Sequence, residues 1–281
     1  MFIKVYQYLN FIRPINLLIS LFTVMISVNL IAPQSSMETT FPIYMVVGLF
    51  LILGNIINDL YDVEIDQINQ PNRLLAKGLI NNYYIWIVWA TILCIAIYFT
   101  LFLNHKSLYL SILILLLIIL YTPFCKGLPI IGNVIISCLV GMVFIFVELA
   151  LLNEIQVMNI PFFLAFGLTW IREFNKDIED VEGDLKFNLK TFPAIYKEQF
   201  ASKILTILII IFMFFSYIPF FTHYQLYGYE YLFSISLFIN IPLAVVINNI
   251  NYSNQLFSQN SILLKIVNIL GILIIYISLN W

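Results

Sequence analysis

The stretch FPIYMVVGLFLILGNIINDLYDVEID, residues 41–66, decides how this chain is read. Positions 41–58 carry no charged side chain, and the run reaches the ~20 residues that a helix needs to cross a hydrocarbon core. It then stops on four acids, Asp59, Asp62, Glu64 and Asp66. An apolar run that ends on carboxylates predicts a membrane helix leaving lipid at a charged edge. Working outward, apolar runs recur at 14–32, 84–103, 107–121, 130–152, 158–175, 201–221, 229–247 and 262–279, which with 41–61 makes nine candidate spans. The reading is an all-α polytopic membrane protein, a single transmembrane domain over 1–281.

Composition agrees with that reading. The 281 residues are 62% hydrophobic and 10% charged, against about 25% charged in an ordinary soluble domain, so one buried core cannot absorb the apolar surface and membrane lipids must solvate it. Most of the 25 Phe residues are packing or lipid-facing material, while Tyr83, Tyr84 and Trp281 at span ends read as interfacial anchors. Pro123, just after the fourth run, predicts a helix end there. The N-terminal MFIKVYQYLNFIRP lacks a cleavage-type small-residue site and reads as an interfacial lead-in rather than a removed signal peptide.

Charge is distributed unevenly. With nine spans, Lys4, Arg13, Arg73, Lys77, Lys126, Arg172, Lys176, Lys186, Lys190, Lys197, Lys203 and Lys265 fall on one face, and only Lys106 on the other. The basic face is therefore expected in the cytoplasm, with the plasma membrane as the expected location. A net charge of −2 excludes the concentrated basic surface of a nucleic-acid binder. Cys94, Cys125 and Cys138 lack metal or disulfide spacing and read as packing residues. No obligate protein partner is expected. His105 and His223 fall on the far face, away from the acids.

Ten of the fifteen Asp and Glu residues sit in two windows, 59–66 and 173–184, each at the basic-face end of an apolar run. NDLYDVEID (58–66) and KDIEDVEGD (176–184) match at five of nine positions, with aspartates at the same spacing: Asp59, Asp62, Asp66 and Asp177, Asp180, Asp184. On a continuous helix that spacing stacks three carboxylates on one face, with Asn58 one turn before Asp62. Like charges so arranged need a counter-cation, and carboxylate and amide oxygens suit Mg²⁺, which is commonly shared with substrate phosphate. Arg73 and Lys77 trail the first window, and Lys186 and Lys190 the second, where they can reach phosphate oxygens. Glu148, inside the fifth run, is either a functional acid or a neutral carboxyl bonded to a neighbouring helix.

On these residues the chain resembles the UbiA-type intramembrane prenyltransferases. The signatures are NDLYDVEIDQINQPNRLLAKG, REFNKDIEDVEGDLKFNLKTFP, the opening RPIN and the stretch YTPFCKGLPIIGN (121–133). The resemblance implies nine transmembrane helices around a central cavity capped by the acidic connections. It implies Mg²⁺ and a prenyl diphosphate held by Asn58, Asp62, Asp66, Asp180 and Asp184, with Asp59 and Asp177 in support. It further implies that Lys126, Arg73 and Tyr121 contact the diphosphate. PNR (71–73) with KDIEDVEGD and the following KT is most similar to the branch that moves a geranylgeranyl group onto the hydroxyl of geranylgeranylglyceryl phosphate, a lipid acceptor. Arg13 and Asn16 are then placed near the acceptor head group. Gln70, where an Arg is common in the family, and LLAK at 74–77 depart from the pattern, with Lys77 placed to offset the missing charge. Prenylation of an aromatic acceptor, in quinone or pigment synthesis, is the competing enzymatic reading. A cation or solute transporter is the reading of another class, disfavoured because the acids cluster at one face rather than the midplane.

Overall fold

Without water in the hydrocarbon core, each backbone amide must be satisfied within its own segment, and runs of Ile, Leu, Phe and Val therefore fold as helices. The computed structural model describes residues 13–69, 71, 73–223, 225–252 and 256–279; Lys4, Gln70 and Trp281 lie outside the described residues. In chain order the helices are α1 (Pro14–Ile31), α2 (Met37–Tyr61), α3 (Val63–Asn69), α4 (Asn82–Thr100), α5 (His105–Leu120), α6 (Ile131–Leu152) and α7 (Asn159–Glu179). They continue as α8 (Val181–Lys186), α9 (Phe192–Tyr196), α10 (Glu198–Phe215), α11 (Ile218–Thr222), α12 (Tyr229–Ile235), α13 (Ile241–Tyr252) and α14 (Phe257–Leu279). No strand occurs among the described residues.

Every predicted apolar run lies mainly in one of these helices or in two consecutive ones. Among the described residues eight helical stretches are long and apolar enough to cross a membrane, and the protein is an integral membrane protein. The remaining run, 158–175, lies in α7, whose last turns hold Arg172, Glu173, Lys176, Asp177 and Glu179 and so lower its apolar character.

Three boundaries differ from the sequence expectation. Pro123 does not end the fourth span. A π-helical turn over Tyr121–Cys125 follows α5, with the Lys126 amide donating to the Tyr121 carbonyl at 2.8 Å. The wider turn carries the chain past a proline that has no N–H to offer. A second π turn, Ser236–Asn240, joins α12 to α13 just before Pro242. Finally, α14 starts five residues before the expected 262, so Lys265 lies two turns inside the helix instead of opening it.

Two compact units can be described. The first holds the chain up to Lys126 with Phe146–Ile155, and the second holds Gly127–Ile145 with the chain from Gln156 onward. In the first unit α2 is central and packs on α1, α4 and α5. Ile43, Val46, Leu53 and Ile56 are buried along it, and the Trp89 indole N–H of α4 donates to the Leu53 carbonyl at 3.2 Å. At its acidic end Ile56 and Leu60 cluster with Leu75 and Ile85, anchoring the connection that carries Arg73.

In the second unit α7 packs on α14 and α10. Small residues permit the approach: a Cβ on Gly167 would sit 2.5 Å from the Phe212 ring, and one on Gly141 2.8 Å from the Phe162 carbonyl oxygen. Asn175, fully buried, bonds across to α14, donating to the Phe257 carbonyl at 3.1 Å and to Ser261 Oγ at 3.0 Å. Ser261 in turn donates to Glu179 at 2.5 Å.

Candidate active site

Neither acidic segment is the unbroken helix that its spacing suggests. α2 stops at Tyr61, Asp62 adopts φ −91° and ψ 6°, and α3 begins at Val63. In the second segment α7 stops at Glu179, Asp180 adopts φ −90° and ψ 2°, and α8 begins at Val181. The same sparsely populated bridge conformation falls on the middle aspartate of both motifs. Hydrogen bonds of helical span continue through each break: Asp62 N–H to the Asn58 carbonyl at 2.9 Å and Asp66 N–H to that of Asp62 at 2.7 Å. The second segment repeats them, Asp180 to Lys176 at 2.9 Å and Asp184 to Asp180 at 3.1 Å. The three carboxylates therefore stand on a helix, a bend and a second helix, so they can converge without following one straight face.

In the first segment Asp59, Asp62 and Asp66 are 4%, 4% and 6% exposed, too buried to be left unpaired. Arg73 Nη1 donates to Asp59 Oδ1 at 3.1 Å and to Asp66 Oδ2 at 2.6 Å. Arg13 Nη2 donates to Asp59 Oδ1 at 2.5 Å, and Lys126 Nζ to Asp62 Oδ2. Three cations thus meet three carboxylates. Burial pushes the Asp66 carboxyl above the ordinary value, against the pull of Arg73 and with added repulsion from Asp62 and Asp59. Burial works against the charge on Arg73, and the surrounding aspartates more than reverse that, raising its pKa.

Arg13 holds φ 52°, a left-handed conformation costly for a non-glycine residue, while its carbonyl accepts the first helical bonds of α1 from Asn16 and Leu17. Its guanidinium belongs to the acidic cluster rather than standing apart for an acceptor. Asn16 is half-buried in the first turn of α1, Asn58 is half-buried one turn before Asp62, and Tyr121 opens the π turn that positions Lys126.

In the second segment the described side-chain hydrogen bonds to the aspartates come from neutral donors. Asn133 Nδ2 donates to Asp177 Oδ2 at 3.0 Å, and Thr191 Oγ1 to Asp184 Oδ2 at 2.9 Å. Asp184 is 6% exposed, and its carbonyl also accepts from the Leu189 amide at 2.9 Å, folding the following loop back over it. Sequence reasoning named neither Asn133 nor Thr191 as a site residue. Both lie inside quoted signatures, and their side chains could have been weighed as donors. The trailing lysines are not drawn in: Lys186 pairs with the exposed Glu182 at 3.1 Å, and Lys77 and Lys190 are exposed. Arg73, not Lys77, supplies the charge that the first segment needs. Glu148 is fully buried in α6.

Among the described residues no three His, Cys, Asp or Glu side chains form a ready-made metal cage. Mg²⁺ does not require one, since it commonly takes one or two carboxylates and completes its shell with water and substrate phosphate. Hard oxygen donors on a bend, supported by hydroxyl, amide and cationic groups, fit that mode of binding.

Comparison with known proteins agrees with this chemistry. The chain is 32% identical, over 198 residues, to a digeranylgeranylglyceryl phosphate synthase of Thermococcus sibiricus, covering 70% of this chain and 71% of that protein. A solved structure, described as giving structural and mechanistic insights into digeranylgeranylglyceryl phosphate synthase in membranes, superposes with a TM-score of 0.75 at 27% identity, covering 98% of both chains. A UbiA homologue from Archaeoglobus fulgidus, bound to DMAPP and Mg²⁺, shares the fold with a TM-score of 0.61 at 18% identity, covering 96% of this chain and 99% of that one. The family model for UbiA prenyltransferases matches residues 20–269, and the chain belongs to the UbiA prenyltransferase family.

Proposed function

We propose that this membrane enzyme transfers a geranylgeranyl group from its diphosphate to the hydroxyl of geranylgeranylglyceryl phosphate, in the cytoplasmic leaflet of the plasma membrane, with residues 1–281 acting as one domain. The observation that carries the reading is the duplicated bend, which sets Asp62 and Asp180 in one backbone conformation among buried carboxylates. It is supported by the relatives of the same described activity and by the homologue that binds DMAPP and Mg²⁺.

In this mechanism Asn58, Asp62 and Asp66 of the first motif, and Asp180 and Asp184 of the second, would each offer oxygen ligands to Mg²⁺, with Asp59 and Asp177 in support. A bound Mg²⁺ supplies charge neutralisation for the diphosphate leaving group. Arg73 and Lys126, already aligned by the carboxylates, donate to diphosphate oxygens and stabilise the charge that develops as the allylic C–O bond breaks. Tyr121 assists beside Lys126. Thr191 and Asn133 orient the second set of carboxylates. The acceptor oxygen then forms an ether bond to the allylic carbon, the diphosphate departs with the C–O bonding pair, and the hydroxyl proton passes to the released diphosphate.

The test is direct. Purified protein with geranylgeranyl diphosphate, Mg²⁺ and geranylgeranylglyceryl phosphate yields the diether lipid and releases diphosphate, while chelation of the metal stops the reaction. Prenylation of an aromatic acid in place of the glyceryl phosphate overturns the assignment.

A further inference from the structure

Two cations of the second unit make no described hydrogen bond to Asp177, Asp180 or Asp184. Arg172 lies in α7 eight residues before the bend at Asp180, about 12 Å back along the helix at ~1.5 Å per residue. Lys265 lies in α14, eight residues beyond its start at Phe257. The two helices run antiparallel. At one level Asn175 bonds to Phe257 and Ser261, and at another the Leu168 side chain lies 3.2 Å from where a Cβ on Gly271 would be. Arg172 and Lys265 occupy the level between these contacts, both half-buried and within Coulombic reach of each other.

Like charges held close together and partly removed from water are costly unless something anionic meets them. Glu173 accepts from Arg172 Nη1 and offsets one charge. Arg172 Nε remains buried with no hydrogen-bond partner, and Lys265 makes no ion pair or hydrogen bond among the described residues. One positive charge and a set of N–H donors are thus left over where α7 packs on α14. Arg13, the cation that the sequence suggested for an acceptor head group, is already bound to Asp59.

We propose that Arg172 and Lys265 form the subsite for the anionic head group of the acceptor, the phosphate monoester of geranylgeranylglyceryl phosphate. The proposal rests on the function proposed above. A guanidinium fork beside a point-charge ammonium suits a phosphate, which offers several oxygens to both. A carboxylate acceptor presents related chemistry, and the assay below separates the two.

The experiment compares geranylgeranylglyceryl phosphate with geranylgeranylglycerol, the same lipid without phosphate, at saturating geranylgeranyl diphosphate and Mg²⁺. Arg172→Gln and Lys265→Gln raise the KM for the phosphate acceptor by about 10-fold to 100-fold, the range of one lost charge-assisted hydrogen bond. The KM for the phosphate-free alcohol changes less than about twofold, so the preference for phosphate collapses. Arg172→Lys and Lys265→Arg restore part of it. Binding of geranylgeranyl diphosphate in the same preparations reports an intact fold; if Arg172→Gln fails that check, Arg172→Lys and Lys265→Gln carry the same comparison. Equal proportional losses with both acceptors, or an unchanged KM for the phosphate acceptor, overturn the subsite while leaving the assigned reaction intact. A wild-type protein that ignores the glyceryl phosphate and prenylates an aromatic acid overturns the assigned reaction, and the phosphate subsite falls with it.

Discussion

The two acidic segments share a backbone and differ in what holds their side chains. Asp62 and Asp180 sit at the same bend with φ and ψ within a few degrees. Around the first, guanidinium and ammonium groups from Arg13, Arg73 and Lys126 grip the carboxylates. Around the second, the described side-chain donors to the aspartates are an amide from Asn133, on Asp177, and a hydroxyl from Thr191, on Asp184. The two motifs share one bend geometry, while their described side-chain donors differ. Under the proposed mechanism both segments present oxygens to Mg²⁺, and the first also brings cations to the diphosphate. Loss of a partner also means different things at the two places. Removing a cation strands a buried charge, whereas removing a neutral donor weakens one hydrogen bond.

The shared feature gives the largest expected effect. If both bends present a metal ligand, Asp62→Asn and Asp180→Asn each reduce single-turnover transfer by about 10²-fold to 10³-fold, the scale for loss of one preorganised electrostatic element at a transition state. The measurement is transfer of labelled geranylgeranyl group at saturating Mg²⁺. Near-wild-type turnover in either variant would break the equivalence drawn from the matching backbone angles.

The differing feature gives the next effects. Arg73 bridges Asp59 and Asp66, both buried, so Arg73→Gln costs about 3 kcal/mol of stability by leaving carboxylates uncompensated. Thr191→Val removes a single hydroxyl donor to Asp184 and costs about 1 kcal/mol. Unfolding of the metal-free protein in detergent ranks the two. Equal losses would mean that the charge contrast between the segments has no energetic weight.

Much of this was legible in the sequence because hydrophobic runs and duplicated aspartates are one-dimensional signals. A span needs length and apolarity, which 41–58 states outright, and the five matching positions of the two motifs align without any structure. The bends were not legible. Neither Asp62 nor Asp180 is flanked by glycine or proline, and a spacing of three and four residues is as compatible with an unbroken helix as with a bent one. Pro123 misled for the opposite reason, because a π turn can absorb the hydrogen bond that a proline omits. Partnership was also hidden. Lys77, Lys186 and Lys190 follow the acids closely in sequence yet are exposed, while Arg13 lies 46 residues from Asp59 and bonds to it. Proximity along the chain cannot rank cations whose approach depends on how α1 and α2 pack.

The smallest expected effect is in pH dependence, and it probes the first segment alone. Burial raises the Asp66 pKa, so the folded protein holds that proton more tightly than the unfolded chain does. In the metal-free protein the contribution of Asp66 to stability is therefore greatest below the ordinary carboxylate value of 3.8 and falls as pH rises through the window up to the raised value. Metal binding runs the other way, because Mg²⁺ takes the anion and displaces the proton. The acid limb of kcat/KM for the prenyl diphosphate should accordingly lie above the ordinary carboxylate range. Arg73 holds the Asp66 pKa down, so Arg73→Gln should move that limb to still higher pH, whatever it does to the plateau. Titrating activity and Mg²⁺ affinity together in both proteins checks this. Coincident acid limbs would separate Asp66 from the metal and leave the bend aspartate, Asp62, as the ligand that the first segment contributes.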